Sequence, residues 1–158
     1  MVDPMARLSP QMKRVIAEQK LGFVGSVDAD GGPNVSPKGT FLVLDDEHIM
    51  FGEIRSPGTL NNISERPRVE VNFVDPIIRK GLRVKGTARF APSGSEEFQD
   101  LKPRFREVWG ALCDLFGGIV VIKVDKAAPL TSPAYDAGAT EQQLKAQYLA
   151  YFSELHET

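Results

Sequence analysis

The spacing of apolar residues changes along the chain, and each change marks an element. Over residues 8–20, Leu8, Met12, Val15, Ile16 and Gln19 follow helical spacing and leave one side apolar. Ser9 is placed to cap this helix, Pro10 suits its first turn, and Gly22 is expected to end it. From Phe23 to Val27 the pattern becomes that of a short apolar strand, followed by the turn sequence DADGG at 28–32. Residues 34–44 resume as a strand, interrupted by Ser36-Pro37-Lys38-Gly39-Thr40. Asp45, Asp46 and Glu47 make a second turn, and residues 48–53 form the third strand of an antiparallel meander.

Past residue 55 a short helix is predicted through about Glu65, stopped by Pro67. Val69, Val71 and Phe73 alternate with Glu70 and Asn72, the pattern of a half-buried strand, and residues 81–90 alternate likewise. A longer helix is predicted over about 95–116, because Phe98, Leu101, Phe105, Val108, Trp109, Leu112 and Phe116 fall on one stripe. Gly117 and Gly118 end it. Residues 119–124 are continuously apolar, as in a strand buried on both faces. After a loop at 130–136, a last helix over about 140–155 carries Leu144, Tyr148, Tyr151, Phe152 and Leu155 on one side. Six antiparallel strands with helices between and at the ends give a mainly β fold with helices (α+β), a small barrel decorated by helices.

Composition narrows the class. With 158 residues and an apolar fraction of 42%, the chain is large enough for one domain with its own core. A net charge of -2 gives no sign of a nucleic-acid binder, and no stretch reaches the length of a membrane span. The opening MVDPMARLSP lacks the apolar run of a secretory signal, so a cytoplasmic location is expected. Met5 is a candidate alternative start, and residues 1–4 are set aside from the fold. The single cysteine, Cys113, has no partner for an internal disulfide and reads as structural. Two isolated histidines, His48 and His156, lack ligand spacing, so no metal site is expected. Glu53 and Asp75 are isolated carboxylates, and no acid–base pair or Ser-His-Asp arrangement is visible.

Two segments carry candidate chemistry. In Ser56-Pro57-Gly58-Thr59 a strand ends and a helix begins, so unpaired backbone N–H groups and the helix dipole favour an anion such as phosphate. Gly58 lets an anion approach, the hydroxyls of Ser56 and Thr59 can donate, and Arg55 stands alongside. The same tetrapeptide also reads as a plain helix cap. The second segment is Ser36 to Thr40, where proline and glycine inside a strand mark a bulge or a place where a ligand meets the backbone. Lys38 there is either a partner for a phosphate or an electron-rich ring edge, or a solvated lysine. Arg83 and Lys85 share a strand face and read as solvated or as lying at a ligand edge.

In order, GFVGSVDADGGPNVSPKGT, HIMFGEIRSPGTLNNISERPRVEVNFVDP and GLRVKGTARF resemble the pyridoxamine 5'-phosphate oxidase-like FMN-binding split-barrel family, and LTSPAYDAGATEQQL looks like the tail of a bacterial subgroup. The resemblance implies a six-stranded antiparallel split β-barrel that works as a homodimer, with FMN in clefts between subunits. It implies that the flavin ring and ribityl chain run beside Ser36, Pro37, Lys38 and Gly39 and beside Phe51, Gly52 and Glu53. The phosphate would sit at Ser56, Gly58 and Thr59, with Asn62 one turn further on. Ser132, Pro133 and Tyr135 would lie near the flavin or the dimer cleft; Arg83, where not simply solvated, is the strand residue placed for the flavin edge or the dimer cleft.

The oxidases that make pyridoxal phosphate carry Ser-Arg-Lys where this chain has Ser56-Pro57-Gly58-Thr59, and arginine where Ser36 stands. Their C-terminal arginine and histidine pattern is not visible here either. These differences argue against that vitamer oxidation but leave FMN in place, because backbone donors hold phosphate. Flavin chemistry needs no protein nucleophile, so a legible catalytic motif is not required. The readings are an FMN-dependent oxidoreductase passing electrons from a donor such as a reduced nicotinamide to a small acceptor or oxygen, a non-catalytic flavin-binding or storage protein, and a deazaflavin-dependent reductase.

Overall fold

A computed structural model describes residues 6–157. The candidate start at Met5 and the four residues before it lie outside them. The element order is α1 (Pro10–Gln19), β1 (Gly22–Val27), β2 (Pro33–Lys38), β3 (Phe41–Val43), β4 (His48–Glu53), α2 (Pro57–Glu65), β5 (Arg68–Asp75), β6 (Lys80–Pro92), α3 (Glu96–Trp109), β7 (Gly118–Thr131) and α4 (Glu141–Leu155), with a 3-10 helix at Gly110–Leu115. All strand pairs are antiparallel, in the order β2-β1-β5-β6-β7-β4-β3. The edge strands β2 and β3 are neighbours in sequence, separated only by Gly39 and Thr40. That short link draws the two edges of the sheet together and curls it into a split barrel. Among the described residues there are seven strands rather than six, because the stretch predicted as one strand over 34–44 breaks at this link.

The sheet buries two cores. Inside the barrel, Val24, Phe41, Ile49, Phe51, Val71, Phe73, Leu82, Val84, Val120 and Ile122 pack together with Ile16 of α1 and Ile63 of α2. Outside it, Met50, Ile119 and Val121 lie under Phe98, Phe105, Cys113 and Phe116. Strands β4 and β7 serve both cores, so their sequences are apolar at successive positions rather than alternating. In β1 and β5, which have one face inward, burial alternates.

Three boundaries depart from the sequence pattern. Lys20, in the left-handed region at φ 58°, ends α1. Gly22 instead begins β1, where a Cβ would stand 2.6 Å from the Phe41 ring. The long helix predicted over 95–116 breaks at Gly110, whose φ is +57°. Phe98 and Phe105 are buried as the stripe predicts, but Val108 and Leu112 are exposed. In α4 only Leu144 of the predicted stripe is buried, while Tyr151 and Leu155 are exposed. Among the described residues no helix is long and apolar enough to cross a membrane.

Candidate functional site

Where β2 runs into β3, a cleft of about 340 Å³ opens between Pro37, Lys38, Gly39 and Thr40 on one side and Gly52, Ile54 and Arg55 on the other. Both walls follow from the chain's geometry. The bulge expected within Ser36–Thr40 does not form: β2 pairs in unbroken register through Pro37 to Lys38, and Gly39 and Thr40 carry the chain into β3. Gly52 lies near the end of β4, before the short link to α2. A Cβ at Gly52 would stand 2.1 Å from the Phe116 ring, so only glycine fits there. A Cβ at Gly39 or Gly58 would meet nothing within 4 Å, which leaves open approaches to both backbones. Thr40 ties the walls together: its hydroxyl donates to the Gly52 carbonyl at 3.2 Å and accepts the Gly52 N–H at 3.0 Å.

Charge at the cleft is concentrated on Lys38 and Glu53. Lys38 is 9% exposed and Glu53 3%. The ammonium lies 3.6 Å from a Glu53 carboxylate oxygen and bonds to the Ser56 hydroxyl. It also stands 5.7 Å from the centroid of the Phe51 ring. Burial pushes the Lys38 ammonium below the ordinary lysine range, against the opposing pull of Glu53. Burying such a pair is costly, and an unpaired member would cost more.

At the start of α2, Ser56 occupies the cap position but makes no side-chain cap bond, because its hydroxyl is turned onto Glu53 and Lys38. Pro57 occupies the first turn. Thr59, Asn62 and Ile63 form the buried stripe of the helix. The Asn62 amide donates to the Ser26 hydroxyl at 3.0 Å. The Thr59 hydroxyl is buried without a hydrogen-bond partner.

The structure thus gathers Pro37, Lys38, Gly39 and Gly52 at one cleft, with Glu53 and Ser56 joined to Lys38, and Gly58 and Thr59 following in the first turn of α2. Other candidates lie elsewhere. The Phe51 ring is fully buried in the barrel core, tilted at 55° against the Phe41 ring, and does not form the cleft wall. Ser36 pairs with Val24 one turn of the pleat from Lys38. Arg83 lies on β6, held by Glu70 at 2.8 Å, in a separate shallow pocket with Lys85 and Lys126. The backbone N–H of Ser132 donates to the Arg79 carbonyl. Tyr135 donates its hydroxyl to the Ile78 carbonyl at 2.5 Å. Both residues are therefore fastened to the β5–β6 turn. Thr40 belongs to the Ser36–Thr40 segment marked by the sequence, whereas Ser26 is not among the sequence candidates. A polar residue at an inward position of the alternating run GFVGSV is the signal that would have found Ser26.

The profile of the pyridoxamine 5'-phosphate oxidase family matches residues 8–154. The chain belongs to that family. Its fold matches HupZ of Group A Streptococcus, with 29% identity over 79% of this chain and 95% of that one, at a TM-score of 0.68. It also matches an FMN-binding protein of Syntrophomonas wolfei, with 16% identity over 77% and 84% of the two chains and a TM-score of 0.63. The heme storage protein HutZ of Vibrio cholerae matches with 22% identity over 79% and 94%, at a TM-score of 0.59. Comparison with curated proteins gives no match. Members of the family's split-barrel fold therefore include proteins described by different cofactors, so the ligand must be argued from the cleft.

The residues present fit a phosphorylated flavin. The unpartnered Thr59 hydroxyl, the open approach at Gly58 and the Lys38 cation would supply donors and positive charge to an anion at the start of α2. Gly39 leaves its part of the cleft wall bare of a side chain where a planar ring would lie.

Proposed function

We propose that the chain binds FMN in this cleft and works as a homodimeric, cytoplasmic flavin-dependent oxidoreductase. The observation that carries the reading is the buried, unpartnered Thr59 hydroxyl at the start of a helix adjoining a glycine-walled cleft. Ser56, Gly58 and Thr59 would hold the phosphate, with Lys38 and Arg55 supplying positive charge. Pro37, Gly39 and Gly52 would line the ring and its ribityl chain. A bound flavin supplies reversible hydride acceptance, from a donor such as a reduced nicotinamide to a small acceptor or oxygen. The protein's part is to orient the ring between rigid backbone walls, which Thr40 fixes by its two bonds to Gly52.

The homodimer reading is supported by the outer face of β1 and β2. Phe23 and Val27 are each 40% exposed there and Val35 67%, an apolar patch beside Pro37 of the cleft. A second copy seated on that patch would roof the cleft. Haem, named for the Vibrio neighbour, calls for an axial ligand; the residues lining the cleft in one protomer include no histidine, cysteine, methionine or tyrosine, so that ligand would have to come from the second copy. The experiment is an anaerobic titration of the FMN-loaded protein with reduced nicotinamides. Bleaching of the yellow colour, reversed by air, is expected. A flavin that resists every physiological donor would leave a binding or storage protein in place of the enzyme.

A further inference from the structure

The start of α2 already holds an anion of the chain's own. One Glu53 carboxylate oxygen accepts the Ser56 backbone N–H at 2.5 Å. The other accepts the Ser56 hydroxyl, and Lys38 stands 3.6 Å from it. An oxyanion on a backbone amide, a hydroxyl and an ammonium at a helix start is the arrangement that a phosphate oxygen takes. Glu53 is 3% exposed, so this is a fixed feature of the interior and not a surface carboxylate swinging past. It explains why Ser56 leaves its cap position unused. It also solves a problem of the ligand-free protein, where a buried Lys38 without a counter-ion would be strongly unfavourable.

Two anions cannot share Lys38 and the Ser56 donors without repulsion. We propose that Glu53 is an internal competitor of the ligand's phosphate, and that it sets how strongly the cleft prefers a phosphorylated flavin over an unphosphorylated one. The proposal rests on the FMN reading above. On binding, Lys38 passes from the Glu53 carboxylate to the phosphate, and part of the phosphate's binding energy is spent in parting that pair. Thr59, which has no partner to give up, contributes its hydroxyl without such a loss.

The test is Glu53→Gln, with FMN and riboflavin affinities measured by quenching of flavin fluorescence. FMN should bind about tenfold tighter than to the unaltered protein, while riboflavin, which lacks the phosphate, changes by less than about twofold. FMN affinity that stays the same or falls would overturn the proposal, because Glu53 would then support the ligand. So would equal changes for both flavins, which would mean that Glu53 acts on the ring or the fold. Should the glutamine variant not fold, Glu53→Asp keeps the charge but withdraws it from Ser56 by one methylene, and FMN should still gain while riboflavin does not. If the unaltered protein binds neither flavin, the FMN reading fails on its own. Inorganic phosphate then becomes the probe: a larger phosphate-induced rise in melting temperature for Glu53→Gln supports competition, and an equal rise overturns it.

Discussion

Replacing Thr59 by valine should move stability and ligand affinity in opposite directions. The Thr59 side chain is 2% exposed and its hydroxyl has no hydrogen-bond partner. Leaving a buried hydroxyl unpaired costs about 1–3 kcal/mol. Valine puts a methyl group in nearly the same space, and both residues are β-branched, so helix rotamer costs are similar. The ligand-free variant should be more stable by up to about that amount, and for a domain of this size each kcal/mol raises Tm by about 2–4 °C. In the loaded protein the same hydroxyl would donate to a phosphate, a bond to a charged group worth about 1.5–3 kcal/mol, so FMN should weaken about ten- to a hundredfold. Riboflavin binding should be unchanged. The assays are thermal melts of the ligand-free protein and fluorescence titrations with the two flavins. A ligand-free variant that melts lower would show that the hydroxyl is satisfied without ligand. Equal losses for FMN and riboflavin would place the phosphate elsewhere, with Lys38 and Arg55 the next holders.

Gly52→Ala should lose about 1–3 kcal/mol in urea unfolding, because its Cβ would stand 2.1 Å from the Phe116 ring, itself packed 5.3 Å from Phe105. Gly39→Ala, which meets nothing, should stay within about 0.5 kcal/mol in the same assay yet weaken flavin binding by crowding the cleft. Burial lowers Lys38's pKa, so between the lowered folded-state value and the ordinary lysine value the unfolded chain holds its lysine proton where the folded chain has released it. Stability should therefore rise with pH as the folded-state value is passed, and this contribution should vanish in Lys38→Met, read by unfolding at a series of alkaline pH values. Tyr135→Phe should cost about 1 kcal/mol of stability through the lost bond to Ile78, while flavin affinity holds; a fall in affinity would return Tyr135 to the flavin.

Much of this fold was legible because periodicity and turn chemistry agree with tertiary burial. The alternation in Val69–Phe73 predicted a half-buried strand, and β5 has one face in the barrel. The Ser9-Pro10 start of α1 appears as written, with Ser9 accepting the Met12 N–H. The misreadings have local causes. The stripe over 95–116 runs straight through Gly110, since hydrophobic spacing alone does not register a residue at positive φ. In the α4 stripe Leu144 is buried but Tyr151 and Leu155 are exposed, since sequence cannot tell a core face from an unpartnered one. At the site, Lys38 and the Ser56–Thr59 turn were visible as breaks in regular elements. Their junction with Glu53 was not, because it depends on the curl of the sheet, which brings the end of β2 against the end of β4. The expectation that Tyr135 and Ser132 lie near the flavin or the dimer cleft rests on family order; within one protomer hydrogen bonds fasten both to the β5–β6 turn.

Binding of FMN in this cleft is tested by saturating the purified protein with a mixture of FMN, deazaflavin and haem, removing free ligand, denaturing the protein and identifying what is released by mass and absorbance. FMN, released in proportion to protomer and lost when Thr59→Val is combined with Gly58→Val, is the expected result. Release of haem or deazaflavin in its place, or FMN retention unaffected by those substitutions, would contradict the account.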